Sequence, residues 1–404
     1  MSRSLPLLLL LLLTAGPALA GSILPGFRAE KIAPAEGFVT SLAFDPAGRL
    51  HYSVTEGGIF RLDPSGSHRI TTLPTASTGN AVLLGIAFRG AEIIAHYVAP
   101  DFTADLVSAV DPETGEERVI AELLCAGGKP CSSEHHGGNP IVAPDGTIYV
   151  GIGDYGGGHL AQMPDSPGGK IWRIAPDGTA TQYARGFRNP FDLVMHPDGT
   201  HLIVSDNGAE GDDEIAIVRE GENHGWPLTM GHQPPVEGMT LPAYVFPGTV
   251  APTGVALVRG LLPGTTGLLV GGFVTKALYF FPDVDATPLR PITLFTELPG
   301  GFYPILDVVQ SPSGEIVFAT PAAIWRLVPP PRGDANGDGE VTAEDLEALA
   351  HELVDGDGPS VLEIHGGSYP GSWGADVNRD GVIDARDLVA WVLLQNQRQR
   401  PVRK

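Results

Sequence analysis

Cysteine is scarce in this chain, with two in 404 residues, and so is positive charge, with 25 lysines and arginines against 47 acidic residues. Helical periodicity is rare before the last seventy residues, and no segment beyond the N-terminus is apolar for long enough to span a bilayer. Each shortage excludes something. Two thiols cannot complete a closed zinc site without further Cys or His at ligand spacing, although His135 and His136 stand close enough to keep that option in view. An acidic chain with a net charge of −22 lacks the basic surface that phosphate recognition needs, so nucleic acid is excluded as a partner.

What is present begins with an export pattern. Arg3, the apolar run Leu7–Leu13 and the small-x-small sequence Ala18-Leu19-Ala20 predict a signal peptide over residues 1–20, cleaved near Ala20. A retained anchor is the alternative. The expectation is a mature protein with no membrane span, secreted or periplasmic. An oxidising compartment would join Cys125 to Cys131 around a five-residue loop just before His135.

From Phe27 to Val328 short β-type runs alternate with related turns. Asp45-Pro46-Ala47-Gly48, Ala143-Pro144-Asp145-Gly146, Ala175-Pro176-Asp177-Gly178, His196-Pro197-Asp198-Gly199 and Ser311-Pro312-Ser313-Gly314 share one chemistry. Proline presets φ at the first corner and glycine accepts the positive φ that closes the turn. About 300 residues of such strands predict an all-β fold, a β-propeller of about four to eight blades, with a large sandwich or a β-helix as alternatives. In a propeller, loops distant in sequence meet at one mouth of the central channel. Pro329–Arg332 reads as a stiff linker closing this domain.

More than half of the negative charge follows that linker: between Gly333 and Trp391 fourteen acidic residues face only Arg379 and Arg386. Two loops in matching frame account for much of it. Asp334, Asn336, Asp338, Glu340, Thr342 and Asp345 form the first, and Asp376, Asn378, Asp380, Val382, Asp384 and Asp387 the second. Oxygens at positions 1, 3, 5, 9 and 12, a backbone carbonyl at 7 and glycine at 6 suit calcium. Each loop opens a helical pattern, Leu346/Leu349/Leu353 and Leu388/Trp391/Val392. This pair of loop-and-exit-helix units resembles the type I dockerin module, over residues 333–395 with a basic tail at 396–404. The resemblance implies two calcium ions and docking to a cohesin domain of another protein. Ala343-Glu344 and Ala385-Arg386 stand at the selecting positions, and the segment between the repeats is longer than the family pattern. A calcium-stabilised cap with no partner is the other reading of this module.

The central block carries a second resemblance. Leu83–Phe88, His135-His136-Gly137-Gly138, Tyr149–Asp154, Gly169-Lys170-Ile171, Gly186-Phe187-Arg188-Asn189-Pro190, Asp212–Ile215 and Asn223-His224-Gly225-Trp226-Pro227 resemble, in order and spacing, the soluble glucose/sorbosone dehydrogenase family. Its members are six-bladed propellers that use pyrroloquinoline quinone (PQQ) and calcium to oxidise sugars. The resemblance implies that His135 is the general base and that Asp154 orients it. It places Arg188 and Asn189 at the quinone oxygens, calcium at the Gly208 and Ala209 carbonyls, and a second calcium at Asp213 and Glu214.

Four positions depart from the family. Val274, Pro304 and Leu306 stand where it places basic residues for the PQQ carboxylates, with Lys276 as a nearby substitute, and His224 replaces a calcium-side tyrosine. These departures support an alternative, a non-redox propeller that binds carbohydrate or protein. A calcium-dependent lactonase-like hydrolase is a third reading.

Overall fold

The structure is a computed structural model that describes residues 24–125, 131–262, 264–296, 298, 303–364, 368–369 and 371–398. The expected leader, the loop between the cysteines and residues 399–404 of the expected basic tail lie outside the described residues. No helix among those described is long and apolar enough to cross a membrane.

Among the described residues, twenty-four strands form six four-stranded antiparallel sheets. In the first blade β2 (Val39–Phe44), β3 (Leu50–Val54), β4 (Gly58–Asp63) and β5 (Gly66–Thr72) follow one another outward. The next four blades repeat this order, from inner strands β6 (Leu83–Arg89), β10 (Ile141–Val142), β14 (Pro190–Met195) and β18 (Pro252–Arg259). The sixth is built differently. Its inner three strands are β22 (Asp307–Gln310), β23 (Ile316–Thr320) and β24 (Ala323–Val328), and its outer strand is β1 (Arg28–Pro34) from the start of the domain. Pairing of β1 with β24, from Arg28↔Val328 to Pro34↔Ala323, closes the ring with backbone hydrogen bonds and leaves no seam where the chain begins.

The turns read from the sequence make the hairpins. Gly48 N–H donates to Asp45 O, Gly146 to Ala143 O, Gly178 to Ala175 O and Gly199 to His196 O, at 2.8–2.9 Å. Each of these glycines has a φ between 72° and 89°, where a Cβ is strained. Apolar side chains fill the wedges between blades: Leu42, Tyr52 and Phe60 of the first blade pack with Ala319 and Ile324 of the sixth.

The C-terminal module holds helices α1 (Glu344–Glu352) and α2 (Ala385–Arg398), so α2 runs three residues into the segment expected as tail. The proline run does not hold the module away from the propeller. Trp373 lies edge-on to Phe27 at 5.1 Å and 5.9 Å from Phe280 of the fifth blade. One apolar core runs from Phe280 and Phe318 through Trp373 to Leu349 and Trp391. Arg332 donates to Val377 O, and Trp391 Nε1 donates to Gly333 O at 3.2 Å.

Candidate functional site

All six blades contribute to one cavity of about 580 Å³ at a mouth of the channel. Loops leading into the inner strands supply His135, Arg188, Asn189 and Leu306, the second residues of inner strands supply Thr40, Leu84 and Thr253, and loops between second and third strands supply Thr55, Asn207 and Phe273. Four sequence-predicted residues therefore meet here. His135, Arg188 and Asn189 line the cavity. Asp154, 1% exposed, stands directly behind His135.

The imidazole is held firmly. His135 Nδ1 lies 2.7 Å from Asp154 Oδ1. That oxygen also accepts Gly156 N–H at 2.8 Å, and Asp154 Oδ2 accepts Trp226 Nε1–H at 2.8 Å. A carboxylate so fixed selects the tautomer with the proton on Nδ1, which leaves the Nε2 lone pair for chemistry. His135 has φ 50°, a strained value for a side-chain-bearing residue. Backbone packing enforces it: a Cβ on Gly153 would stand 2.2 Å from His135 O, and one on Gly137 would stand 2.0 Å from Gly151 O.

Arg188 is equally placed. Its Nη1 donates to Asn207 O at 3.0 Å, and its guanidinium carbon lies 5.9 Å from the centre of the Trp226 ring. Asn189 Oδ1 accepts Gly137 N–H at 3.0 Å, so its amide NH₂ is the end left to meet a ligand. Beneath both, buried Asp206 accepts Arg188 N–H at 3.0 Å and Asn189 N–H at 2.6 Å. Burial raises the Asp206 carboxyl above the usual range, and burial followed by the charge of Asp206 raises Glu214, its cross-strand neighbour.

The remaining propeller candidates are placed differently. Asp213 is a loop pin: Oδ1 accepts Gly208 N–H at 2.8 Å, and Oδ2 accepts Val250 and Ala251 N–H at 2.7 Å each. Gly208 is required there, because a Cβ would stand 2.0 Å from Asp212 O. The cavity wall next to Arg188 comes from Asn207, not from Gly208 or Ala209. Lys276 stands on the loop before Leu278–Phe281, where Phe273 rather than the lysine lines the cavity. Val274 is 51% exposed, whereas Leu306 is in the wall. His224 is buried, stacked on Phe187 at 4.7 Å. Trp226 had no assigned role in the sequence; its place after Asn223-His224-Gly225 in the matched block was the only available signal.

Cys125 and Cys131 form a disulfide with Cα atoms 5.6 Å apart. In the module the two acidic loops have matching internal bonds. Gly339 N–H donates to Asp334 Oδ2 at 3.0 Å and Gly381 N–H to Asp376 Oδ2 at 2.8 Å. Asn336 and Asn378 N–H groups donate to Asp345 and Asp387, and Glu340 and Val382 N–H groups to Asp338 and Asp380. Thr342 and Asp384 N–H groups close each loop on its twelfth residue at 2.7 and 2.9 Å. Asp334 is fully buried and its Oδ1 has no hydrogen-bond partner, as expected of an oxygen that faces a cation.

A six-bladed propeller with an oriented imidazole and a fixed guanidinium in one cavity, followed by paired acidic loop-helix units, defines a sugar-dehydrogenase-like propeller carrying a dockerin. Residues 114–327 match the glucose / sorbosone dehydrogenase family and residues 332–392 match the dockerin type I domain, and the chain belongs to the glucose / sorbosone dehydrogenase family. Over 228 residues it is 28% identical to quinoprotein glucose dehydrogenase B of Acinetobacter calcoaceticus, covering 44% of this chain and 47% of the relative. It thus spans about half the length of that curated relative. A Thermus thermophilus oxidoreductase described as a glucose dehydrogenase superposes with TM-score 0.66 at 25% identity, covering 75% of this chain and all of the other. The PQQ-bound aldose sugar dehydrogenase of Streptomyces coelicolor gives TM-score 0.64 at 23% identity over 76% of this chain and 99% of the other, a likeness of fold.

Proposed function

We propose that this chain is a calcium-dependent quinoprotein that oxidises an aldose, with His135 as the general base. The observation that carries the reading is the His135–Asp154 pair in the same cavity as Arg188. His135 Nε2 takes the proton of the sugar's anomeric hydroxyl, and Asp154 stabilises the imidazolium that results. PQQ, when bound, supplies the two-electron acceptor for the hydride from the same carbon. The residues fit its quinone end: Arg188 and the Asn189 amide offer a cation and donors in a fixed arrangement. Its three carboxylates fit less well. Arg188 is the one cationic side chain among the described residues lining the cavity, and Phe38, Val82, Phe191, Phe273 and Leu306 make much of the wall apolar.

Two calcium ions belong to the module's loops in this reading, and a third to the Gly208–Ala209 turn. The module docks on a cohesin-type partner through Ala343-Glu344 and Ala385-Arg386, which are exposed at the first turns of α1 and α2. Export past Ala20 would deliver the chain to the oxidising compartment that its disulfide suits.

The test is aldose-dependent reduction of an artificial electron acceptor by the full chain with PQQ and calcium. His135→Ala should lower the rate about 10²–10⁴-fold; a rate indifferent to that change ends the assignment. The Leu306 wall favours a second reading, a sugar- or protein-binding propeller without redox chemistry, and absence of PQQ binding at about micromolar concentration would select it.

A further inference from the structure

Between the two acidic loops the module carries a third group of carboxylates that neither loop uses. Glu352 is the last residue of α1, and Asp355 and Asp357 follow on the turn below it. One oxygen from each lies within 4.8 Å of the others. Acidic clusters on surfaces are common and mean little. Glu352 sets this one apart: it is only 5% exposed, and both of its carboxylate oxygens are buried without a hydrogen-bond partner.

Among the described residues, no hydrogen-bond partner or cation offsets that charge. The neighbouring charges that act on Glu352 are those of Asp355 and Asp357, both negative. The residue also sits at the C-terminal end of a helix, where the dipole disfavours an anion. The backbone nevertheless packs onto it, since a Cβ on Gly371 would stand 2.0 Å from Glu352 Oε2. A neutral side chain would be the cheaper occupant of such a place unless a cation is shared there.

We propose that Glu352, Asp355 and Asp357 form a third cation site in the module, for a hard divalent ion such as calcium. Three carboxylates supply part of a six- to eight-oxygen shell, and backbone carbonyls and water complete it. The geometry gives the site a structural purpose. Asp355 Oδ1 accepts Asp357 N–H at 3.2 Å and Asp355 Oδ2 accepts Tyr369 N–H at 3.4 Å, so the turn is already tied to the far end of the insert. An ion on Glu352 fastens both to the end of α1, which fixes the long inter-repeat segment against the helix.

The test uses the full chain, calcium chloride and the variants Glu352→Gln and Asp357→Asn. Bound calcium is counted by mass spectrometry of the metal after equilibrium dialysis, and thermal unfolding is followed with calcium and with a chelator. Each variant should bind about one calcium fewer than the parent chain. Glu352→Gln should melt lower than the parent in calcium, and no lower in chelator, where the parent keeps a buried carboxyl with no partner. Unchanged stoichiometry in the more exposed Asp357→Asn variant, or stabilisation by Glu352→Gln to the same extent with and without calcium, would overturn the proposal.

Discussion

His135 Nδ1 and Asp154 Oδ1 lie 2.7 Å apart, and the other oxygen of that carboxylate is held by the indole N–H of Trp226. The carboxylate therefore decides both the tautomer and the direction of the imidazole. Asp154→Asn keeps the shape but presents an amide that can hold the wrong tautomer, and should lower turnover about 10³–10⁴-fold. Trp226→Phe removes only one support of Asp154 and should cost about tenfold. Steady-state rates with saturating aldose, PQQ and calcium check both. Equal losses for the two variants would mean that the indole, not the carboxylate, positions the base.

Leu306 lies in the cavity wall, 3% exposed, and offers no cation to the carboxylates of the proposed cofactor. Leu306→Arg should restore a partner for one PQQ carboxylate. A charge-assisted hydrogen bond contributes about 1.5–3 kcal/mol, so affinity should rise about 10–150-fold. Titration of the cofactor by absorbance measures this directly. An affinity that does not change would place the cofactor carboxylates elsewhere, or nowhere in this cavity.

The parts of this fold that were legible in the sequence are those fixed by short-range chemistry. A Pro-x-Gly corner such as Ala143–Gly146 makes its own turn, and the Asp376–Asp387 loop makes its own bonds. The His135–Asp154 pair was legible only through family likeness, because nineteen residues separate partners that meet across a strand hairpin. Two features were not legible. Packing of Trp373 on Phe27 joins the C-terminal module to the start of the propeller, and neither residue has local periodicity to announce a partner. Substitution of Phe273 for Lys276 in the cavity wall depends on the course of one irregular loop, which alternation of side chains along a strand does not predict.

Lys170 is fully buried in the third blade, where its Nζ donates to Leu160 O at 3.0 Å and Gly168 O at 2.9 Å. Burial pulls its ammonium down to about 8 from 10.5. The folded value lies below the unfolded one, so between about pH 8 and 10.5 the unfolded chain binds more protons and this residue's contribution to stability rises with pH. Relative to Lys170→Met, the parent chain should gain about 1–3 kcal/mol between about pH 7.5 and 10. Denaturant unfolding of both proteins at the two pH values checks the slope. A constant difference would mean that the ammonium stays charged in the fold.

Trp373 makes the module and the propeller one packed body, because its ring contacts Phe27 and Phe280 within a core that continues to Leu349 and Trp391. Loss of calcium from the loops should therefore be felt beyond the module. With a chelator, calorimetry of the parent chain should show the propeller melting at a lower temperature as well, since its fifth and sixth blades lose the surface that covers them. Trp373→Ala should cost about 3–5 kcal/mol at this interface. It should also split a single transition in calcium into two, of which only the one belonging to the module responds to chelator. Should the parent chain already melt in two independent steps with calcium present, the contacts of Trp373 carry no coupling and the module is an appendage.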